Sequence, residues 1–80
     1  MPEVIIYSRP GCHLCERVEQ LVERAHAEAT FESRTINIDS DPALKARYDW
    51  EIPVVAVNGK DMFGYAMVYE AFLAKIKELQ

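Results

Sequence analysis

The sequence predicts an α/β fold in which a mixed four-stranded sheet is flanked by helices, with the element order βαβαββα. Short β-branched and aromatic runs alternate with longer stretches of helical apolar spacing, which is typical of βαβ units. The dipeptide Asn58-Gly59 is a strong signal for a hairpin between two further strands. Half of the 80 residues are apolar, so we expect a single globular domain over residues 1–80.

The first strand and the first helix are predicted on either side of a short loop. Residues 3–8 are β-branched and aromatic, too few for a helix, and are followed by Arg9-Pro10-Gly11, so we expect a buried strand that runs into a loop. A helix is predicted from His13 onward. Its apolar face comprises Leu14, Val18, Leu21, Val22, Ala25 and Ala29.

The middle of the chain is predicted to form an edge strand and a short helix. Residues 30–38 place Phe31, Ile36 and Ile38 between polar residues, which suits a second strand at or near a sheet edge. The segment Ser40-Asp41-Pro42 then supplies an N-cap followed by proline at the first helical position. We expect that helix to end near residue 49.

The last third is predicted to complete the sheet and add one more helix. Residues 52–57 and 60–63 are predicted as the two hairpin strands, with Pro53 at the beginning of the first of them. A final amphipathic helix follows Gly64. Its apolar residues at helical spacing are Val68, Phe72, Ile76 and Leu79, with Tyr65, Tyr69 and Leu73 beside them.

Charge and hydropathy argue against two classes of partner. Nine basic and thirteen acidic residues give a net charge of −4, and no run of Lys or Arg offers the basic surface that nucleic acid requires. Apolar runs such as residues 54–57 are far too short to span a membrane, and the N-terminus lacks a basic leader region. We therefore expect a cytoplasmic, monomeric protein that binds neither nucleic acid nor membranes.

The only two cysteines, Cys12 and Cys15, form a Cys-x-x-Cys pair. A bridge across two residues closes a very short loop and adds little stability, so a chemical role explains the pair better than a mechanical one. The readings are a redox pair, half of a metal site, or two small core side chains. The position between a strand and a helix favours the redox pair. A zinc site needs about four ligands, and only His13 and His26 remain as histidines, so a metal would have to be shared between two chains.

The predicted start of the helix gives the two thiols different chemistry. If the helix begins at His13, Cys12 is the N-cap and Cys15 occupies the third helical position. Free N–H groups and the positive end of the helix dipole stabilise a thiolate at Cys12, which we expect to be the exposed nucleophile. Cys15 is expected to be more buried and to act as the resolving thiol. His13 either donates a hydrogen bond or charge to the Cys12 thiolate or points to solvent.

The run Tyr-Ser-Arg-Pro-Gly-Cys-His-Leu-Cys at residues 7–15, followed by a helix, Ile52-Pro53 and the Asn58-Gly59 hairpin, resembles the glutaredoxin branch of the thioredoxin superfamily. It is most similar to small bacterial glutaredoxin-like proteins, and the resemblance covers the whole chain. It implies a thioredoxin fold in which Pro53 is cis and packs against a redox-active disulfide. It also implies that the Ile52 backbone pairs with substrate and that Arg9 meets a carboxylate of glutathione.

Three departures from that family pattern affect the expected recognition of glutathione. His13-Leu14 replaces the usual Pro-Tyr, and Glu51 stands where Thr commonly precedes the Ile/Val-Pro pair. The segment around Tyr65, residues 63–67, replaces a Gly-Gly-x-Asp-Asp type sequence. Because Glu51 adds a like charge and the Asp side chains are missing, we expect weak turnover of glutathionylated substrates.

The sequence therefore predicts a thiol–disulfide oxidoreductase that acts on protein or low-molecular-weight disulfides. It is expected to use no cofactor other than its own Cys12–Cys15 disulfide, and no resident metal. The alternative from another class is a module without enzymatic activity that uses the same pair for redox sensing or for carrying a metal or iron–sulfur cluster.

Overall fold

A computed structural model describes residues 1–80 and confirms the predicted fold class. The chain runs βαβαββα, with one short 3-10 helix over Ile38–Ser40 before the second α-helix. The strands are β1 (Glu3–Ser8), β2 (Glu32–Asn37), β3 (Val54–Val57) and β4 (Lys60–Gly64). The helices are α1 (His13–Ala25), α2 (Pro42–Tyr48) and α3 (Tyr69–Leu79).

The four strands form one mixed sheet in the order β2-β1-β3-β4. β1 and β2 are parallel neighbours, as expected for a βαβ unit, and β2 lies at the edge as predicted. β3 is antiparallel to both β1 and β4. The hairpin turn has positive φ angles at Asn58 (50°) and Gly59 (83°), which is the backbone that this dipeptide favours.

The helices cover both faces of the sheet. Because side chains alternate along a strand, Val4 and Ile6 of β1 face α1 and α3, whereas Tyr7 faces α2. The larger core lies on the first face. Its eleven buried members are Val4, Ile6, Val18, Val22, Ala25, Phe31, Val55, Val57, Met67, Phe72 and Ile76. On the second face Ile38, Tyr48 and Val54 form a smaller cluster, and the rings of Tyr7 and Tyr48 stack with centroids 4.4 Å apart.

The structure corrects the predicted bounds of the second strand. β2 ends at Asn37, and Ile38 lies in the 3-10 helix rather than in the strand. The side chain of Asn37 accepts the N–H of Asp39 at 2.9 Å, so a local side-chain cap turns the chain away from the sheet. Ile38 remains fully buried, because it packs beneath α2 rather than along the strand. The apolar pattern alone is therefore compatible with either conformation.

Two helices also differ from the prediction. α1 ends at Ala25, and Leu14 is 53% exposed, because the buried stripe consists of Cys15, Val18, Val22 and Ala25. Residues spaced three and four apart from Val18 include both Leu14 and Cys15, so helical periodicity does not choose between them.

At the other end of the chain, Val68 precedes α3 as its N-cap and is 63% exposed, while Tyr65 lies outside the helix. None of the helices is long and apolar enough to cross a membrane.

Candidate active site at the amino terminus of helix α1

Cys12 is the N-cap of α1, as predicted. Its backbone is extended, and its Sγ accepts the N–H of Cys15 at 3.1 Å. This contact satisfies one of the free N–H groups of the first turn and directs a helix N–H at the sulfur. The Cys12 carbonyl also accepts the N–H of Glu16, which begins the helical hydrogen-bond ladder.

The two cysteines lie at disulfide distance, with their Cα atoms 5.2 Å apart. Cys12 is partly exposed, whereas Cys15 is 1% exposed within the buried stripe of α1. The pair thus combines one partly exposed and one buried cysteine across a single helical turn. This geometry supports a redox role for the pair.

A concavity of about 290 Å3 runs past the disulfide toward β2. Both cysteines line it together with the end of β1, the following loop and two residues of β2. The other lining residues are Ser8, Arg9, Pro10, Gly11, Glu16, Glu19, Thr35 and Asn37. The carboxyl ends of the parallel strands β1 and β2 therefore form one wall of the site, and the first turns of α1 form the other.

Arg9, three residues before Cys12, is held by two carboxylates of its own chain. Its Nε and Nη2 contact Asp39 at 3.0 to 3.2 Å, and Nη2 also pairs with Asp49. The Arg9 carbonyl accepts the Cys12 N–H at 3.3 Å, so the ion pairs hold the turn that carries Cys12. The guanidinium keeps the pKa of Asp39 below its usual value, mainly through the side-chain hydrogen bond.

The loop before β3 brings the other predicted binding residues to the same end of the sheet. The Ile52–Pro53 peptide bond is cis, Pro53 is buried and Ile52 is half-buried. Tyr7 pairs with Val54 in the antiparallel register. Pro53, one residue before Val54, therefore lies near the end of β1, just before the cysteine loop. The carbonyl of Glu51 accepts the N–H of Tyr65 at 3.1 Å, which joins this loop to the segment after β4.

The two predicted modulators Glu51 and Tyr65 are exposed. Tyr65 is 59% exposed and has a positive φ of 66°, which is uncommon for a bulky residue. Its backbone bond to Glu51 holds that conformation. Both side chains are therefore free to contact a molecule bound at this end of the sheet.

The histidines have separate surroundings. His13 is 96% exposed, and its Nδ1 lies 3.5 Å from a carboxylate oxygen of Glu16, so it points to solvent. The hydrogen bond that Cys12 Sγ accepts comes from the Cys15 backbone instead. His26 stacks on Phe31 with ring centroids 4.0 Å apart, beyond the end of α1.

Comparison with known proteins places this architecture in a family. Residues 3–78 match the profile of the glutaredoxin-like domain (DUF836). The chain belongs to this glutaredoxin-like family. The uncharacterized protein Rv0508 of Mycobacterium tuberculosis is 31% identical over 65 residues, which are 75% of this chain and 67% of that protein.

Solved structures support the thioredoxin fold of this glutaredoxin-like chain. Protein Ne2328 from Nitrosomonas europaea superposes with a TM-score of 0.82 at 27% identity, over 94% of this chain and 91% of that one. A thioredoxin variant from Halobacterium salinarum superposes with a TM-score of 0.72 at 17% identity, over 96% of this chain and 73% of that one. The second likeness shows the fold alone. The solved structures confirm the predicted fold, and the family match confirms the resemblance.

Three residues near the site of this glutaredoxin-like domain were not predicted from its sequence. Asp39 and Asp49 contact Arg9 across 30 and 40 positions, and no local pattern links them to it. Trp50 is 82% exposed beside Asp49. The sequence does show the single tryptophan two residues before Ile52. Because Trp is enriched at binding interfaces, its position there indicates a binding surface.

Proposed function

We propose that this glutaredoxin-like domain is a thiol–disulfide oxidoreductase with Cys12 as nucleophile and Cys15 as resolving thiol. One observation carries the proposal: the Sγ of the partly exposed Cys12 caps the amino terminus of α1 and accepts the Cys15 N–H, while Cys15 itself is buried. The same N–H and the helix dipole stabilise negative charge on Cys12 in the reduced protein.

The reaction proceeds through a mixed disulfide. The Cys12 thiolate attacks one sulfur of the substrate disulfide, forms a new S–S bond and releases one substrate thiolate. Cys15, deprotonated, then attacks Cys12 Sγ and releases the second substrate thiolate. The dithiol has lost two electrons to the substrate, and a dithiol reductant such as dithiothreitol regenerates it. The 5.2 Å Cα separation of the cysteines makes the second step intramolecular and fast.

The Ile52-Pro53 segment supports binding of an extended substrate. β3 begins at Val54, so the backbone of Ile52 lies before the paired strand and is available to a substrate backbone. We propose protein or low-molecular-weight disulfides as substrates, a monomer as the working unit, and no cofactor besides the disulfide. A chain with one dithiol and no other cysteine suits the reducing cytosol.

Reduction of insulin by dithiothreitol tests the activity. The protein is expected to accelerate precipitation of the insulin chains, and Cys12→Ser is expected to abolish the acceleration. Cys15→Ser is expected to accumulate a mixed disulfide with the substrate at Cys12, detectable by mass spectrometry. An uncatalysed rate with the intact protein, or full activity in Cys12→Ser, contradicts the proposal.

A further inference from the structure

The concavity beside the disulfide is lined by more negative than positive charge. Its charged lining residues are Arg9, Glu16 and Glu19. Glu16 and Glu19 lie on the first two turns of α1, next to the cysteines. Arg9, the cation of the lining, is already paired with Asp39 and Asp49.

The two aspartates carry two negative charges against the single positive charge of Arg9. The contact to Asp39 is a fork through two guanidinium nitrogens, and the contact to Asp49 shares one of them. These hydrogen bonds raise the pKa of Arg9 and lower that of Asp39, so both groups stay charged at neutral pH. Lys45 is the further cation that acts on Asp39, and it does so at longer range.

We propose that an acidic rim formed by Glu16 and Glu19 makes the site select disulfides that carry positive charge beside the sulfurs and reject anionic ones such as glutathione disulfide. The inference rests on the proposed oxidoreductase function and names its substrate class. An incoming carboxylate must displace Asp39 or Asp49 to reach Arg9, and it meets Glu16 and Glu19 on the way. An ammonium or guanidinium group instead finds the exposed Glu16, which lies beside His13, and the half-buried Glu19, neither of which is paired with a Lys or Arg side chain.

The selectivity is local rather than a result of the net charge. Glu3 and Glu32 lie at the opposite end of the parallel strands from Ser8 and Asn37. Five residue steps along a strand span roughly 17 Å, which exceeds the Debye length of about 10 Å at 0.1 M salt. Charge changes at Glu3 and Glu32 therefore serve as matched controls for the rim.

Three small disulfides of different charge test the inference. The reduced protein is mixed in stopped flow with cystamine (cationic), bis(2-hydroxyethyl) disulfide (neutral) and 3,3′-dithiodipropionate (anionic). Each second-order rate constant is divided by that of dithiothreitol with the same disulfide, which removes differences in intrinsic reactivity. The corrected constants are expected to fall from cationic to neutral to anionic. The cationic-to-anionic ratio is expected to be about tenfold at 0.01 M salt and to fall toward one at 1 M.

Variants assign the effect to the rim. The double variant Glu16→Gln, Glu19→Gln is expected to lower the cationic-to-anionic ratio by about threefold or more at low salt. The ratio cancels any change in the reactivity of Cys12 itself. The control double variant Glu3→Gln, Glu32→Gln is expected to keep the ratio of the unmodified protein.

The outcomes distinguish the charge selectivity from the oxidoreductase activity itself. Equal corrected constants for all three disulfides overturn the charge selectivity and leave the oxidoreductase standing. An equal loss of selectivity in both double variants assigns the effect to net charge and also overturns the rim. If the unmodified protein reduces none of the three disulfides faster than Cys12→Ser does, the proposed function is wrong and the proposed selectivity is wrong with it.

Discussion

The guanidinium of Arg9 forms a fork with the carboxylate of Asp39, with Nε 3.1 Å from Oδ2 and Nη2 3.0 Å from Oδ1. Thirty residues separate the two in sequence. The contact ties the loop that carries Cys12 to the 3-10 helix after β2, and the added pair to Asp49 ties it to the end of α2. The geometry of the cysteine loop thus depends on segments far from it in the chain.

Substituting Asp39 should make stability less dependent on pH in acid. The folded protein holds the Asp39 pKa below 3.8, so the unfolded chain binds this proton more readily. The resulting stabilisation is complete above about pH 5 and is lost as pH falls through the folded pKa. Asp39→Asn is therefore expected to unfold at lower urea than the unmodified protein at pH 7, and this difference is expected to shrink at about pH 2.

Fluorescence of Trp50, the single tryptophan, reports that unfolding. Glu32→Gln, which removes an exposed carboxylate without an ion pair, serves as the control. It is expected to unfold at the same urea concentration as the unmodified protein at both pH values. If Asp39→Asn stays equally less stable than the unmodified protein in acid, packing rather than charge would account for the stabilisation by Asp39.

Alkylation of the reduced protein should distinguish the two thiols. Cys12 is accessible and lies at the helix terminus, whereas Cys15 is buried. Iodoacetamide reacts with thiolates, so at neutral pH we expect Cys12 to be modified about tenfold faster than Cys15. Peptide mapping by mass spectrometry measures both rates, and the variants Cys12→Ser and Cys15→Ser isolate each site. Equal rates would remove the assignment of Cys12 as the nucleophile.

Tyr48 should titrate late and weaken the protein in alkali. Burial, followed by a hydrogen bond to Asp61, raises the pKa of Tyr48 from 10.0 to about 12. The unfolded chain ionises first, so this stabilisation is present below pH 10 and is lost as pH rises toward 12. We expect the free energy of unfolding to fall by about 1 to 2 kcal/mol from this group over that range.

Tyr48→Phe should make the free energy of unfolding less dependent on pH between 10 and 12. It should also remove the step at highest pH when tyrosine ionisation is followed by absorbance. Tyr65→Phe is the matched control, because the Tyr65 ring is exposed, and it is expected to keep the slope of the unmodified protein. An identical slope for Tyr48→Phe would show that the Tyr48 hydroxyl is not held protonated by the fold.

Local signals predicted the fold well because each acts over a few residues. Asp41 accepts the Ala43 N–H and Pro42 stands at the first helical position, so α2 begins where its capping residues require. The Asn58-Gly59 turn likewise fixed the pairing of β3 and β4. The end of β2 was missed because a polar side chain, Asn37, redirects the backbone without changing the apolar pattern.

The candidate site was predictable only in part for a related reason. Cys12 and Cys15 are close in sequence, so their relation follows from one helical turn. The carboxylates that surround Arg9 come from two other segments, and nothing in the order of residues indicates which acidic side chains will meet it. Asp39 and Asp49 are two of thirteen acidic residues, and only the fold selects them.

Glutathione should be a poor substrate, and specific substitutions should improve it. Glu51 is exposed beside the Ile52-Pro53 segment, and a like charge at about 4 Å costs on the order of 1 kcal/mol in water. Ala66 is exposed and can be replaced by Asp, whereas Met67 is 9% exposed in the larger core, so an acid there would be buried without a partner. The double variant Glu51→Thr, Ala66→Asp is therefore the appropriate test, with Met67 left in place.

We expect the unmodified protein to reduce a glutathionylated peptide much more slowly than an ordinary dithiol glutaredoxin does, in an assay coupled to glutathione reductase. The double variant is expected to raise that rate about threefold to tenfold, because it removes one repulsive charge and adds an acceptor for the glutathione amino group. Glu32→Gln, which removes a charge at the far end of the sheet, is expected to change nothing. Comparable rates in all three proteins would mean that neither position governs how this site recognises glutathione.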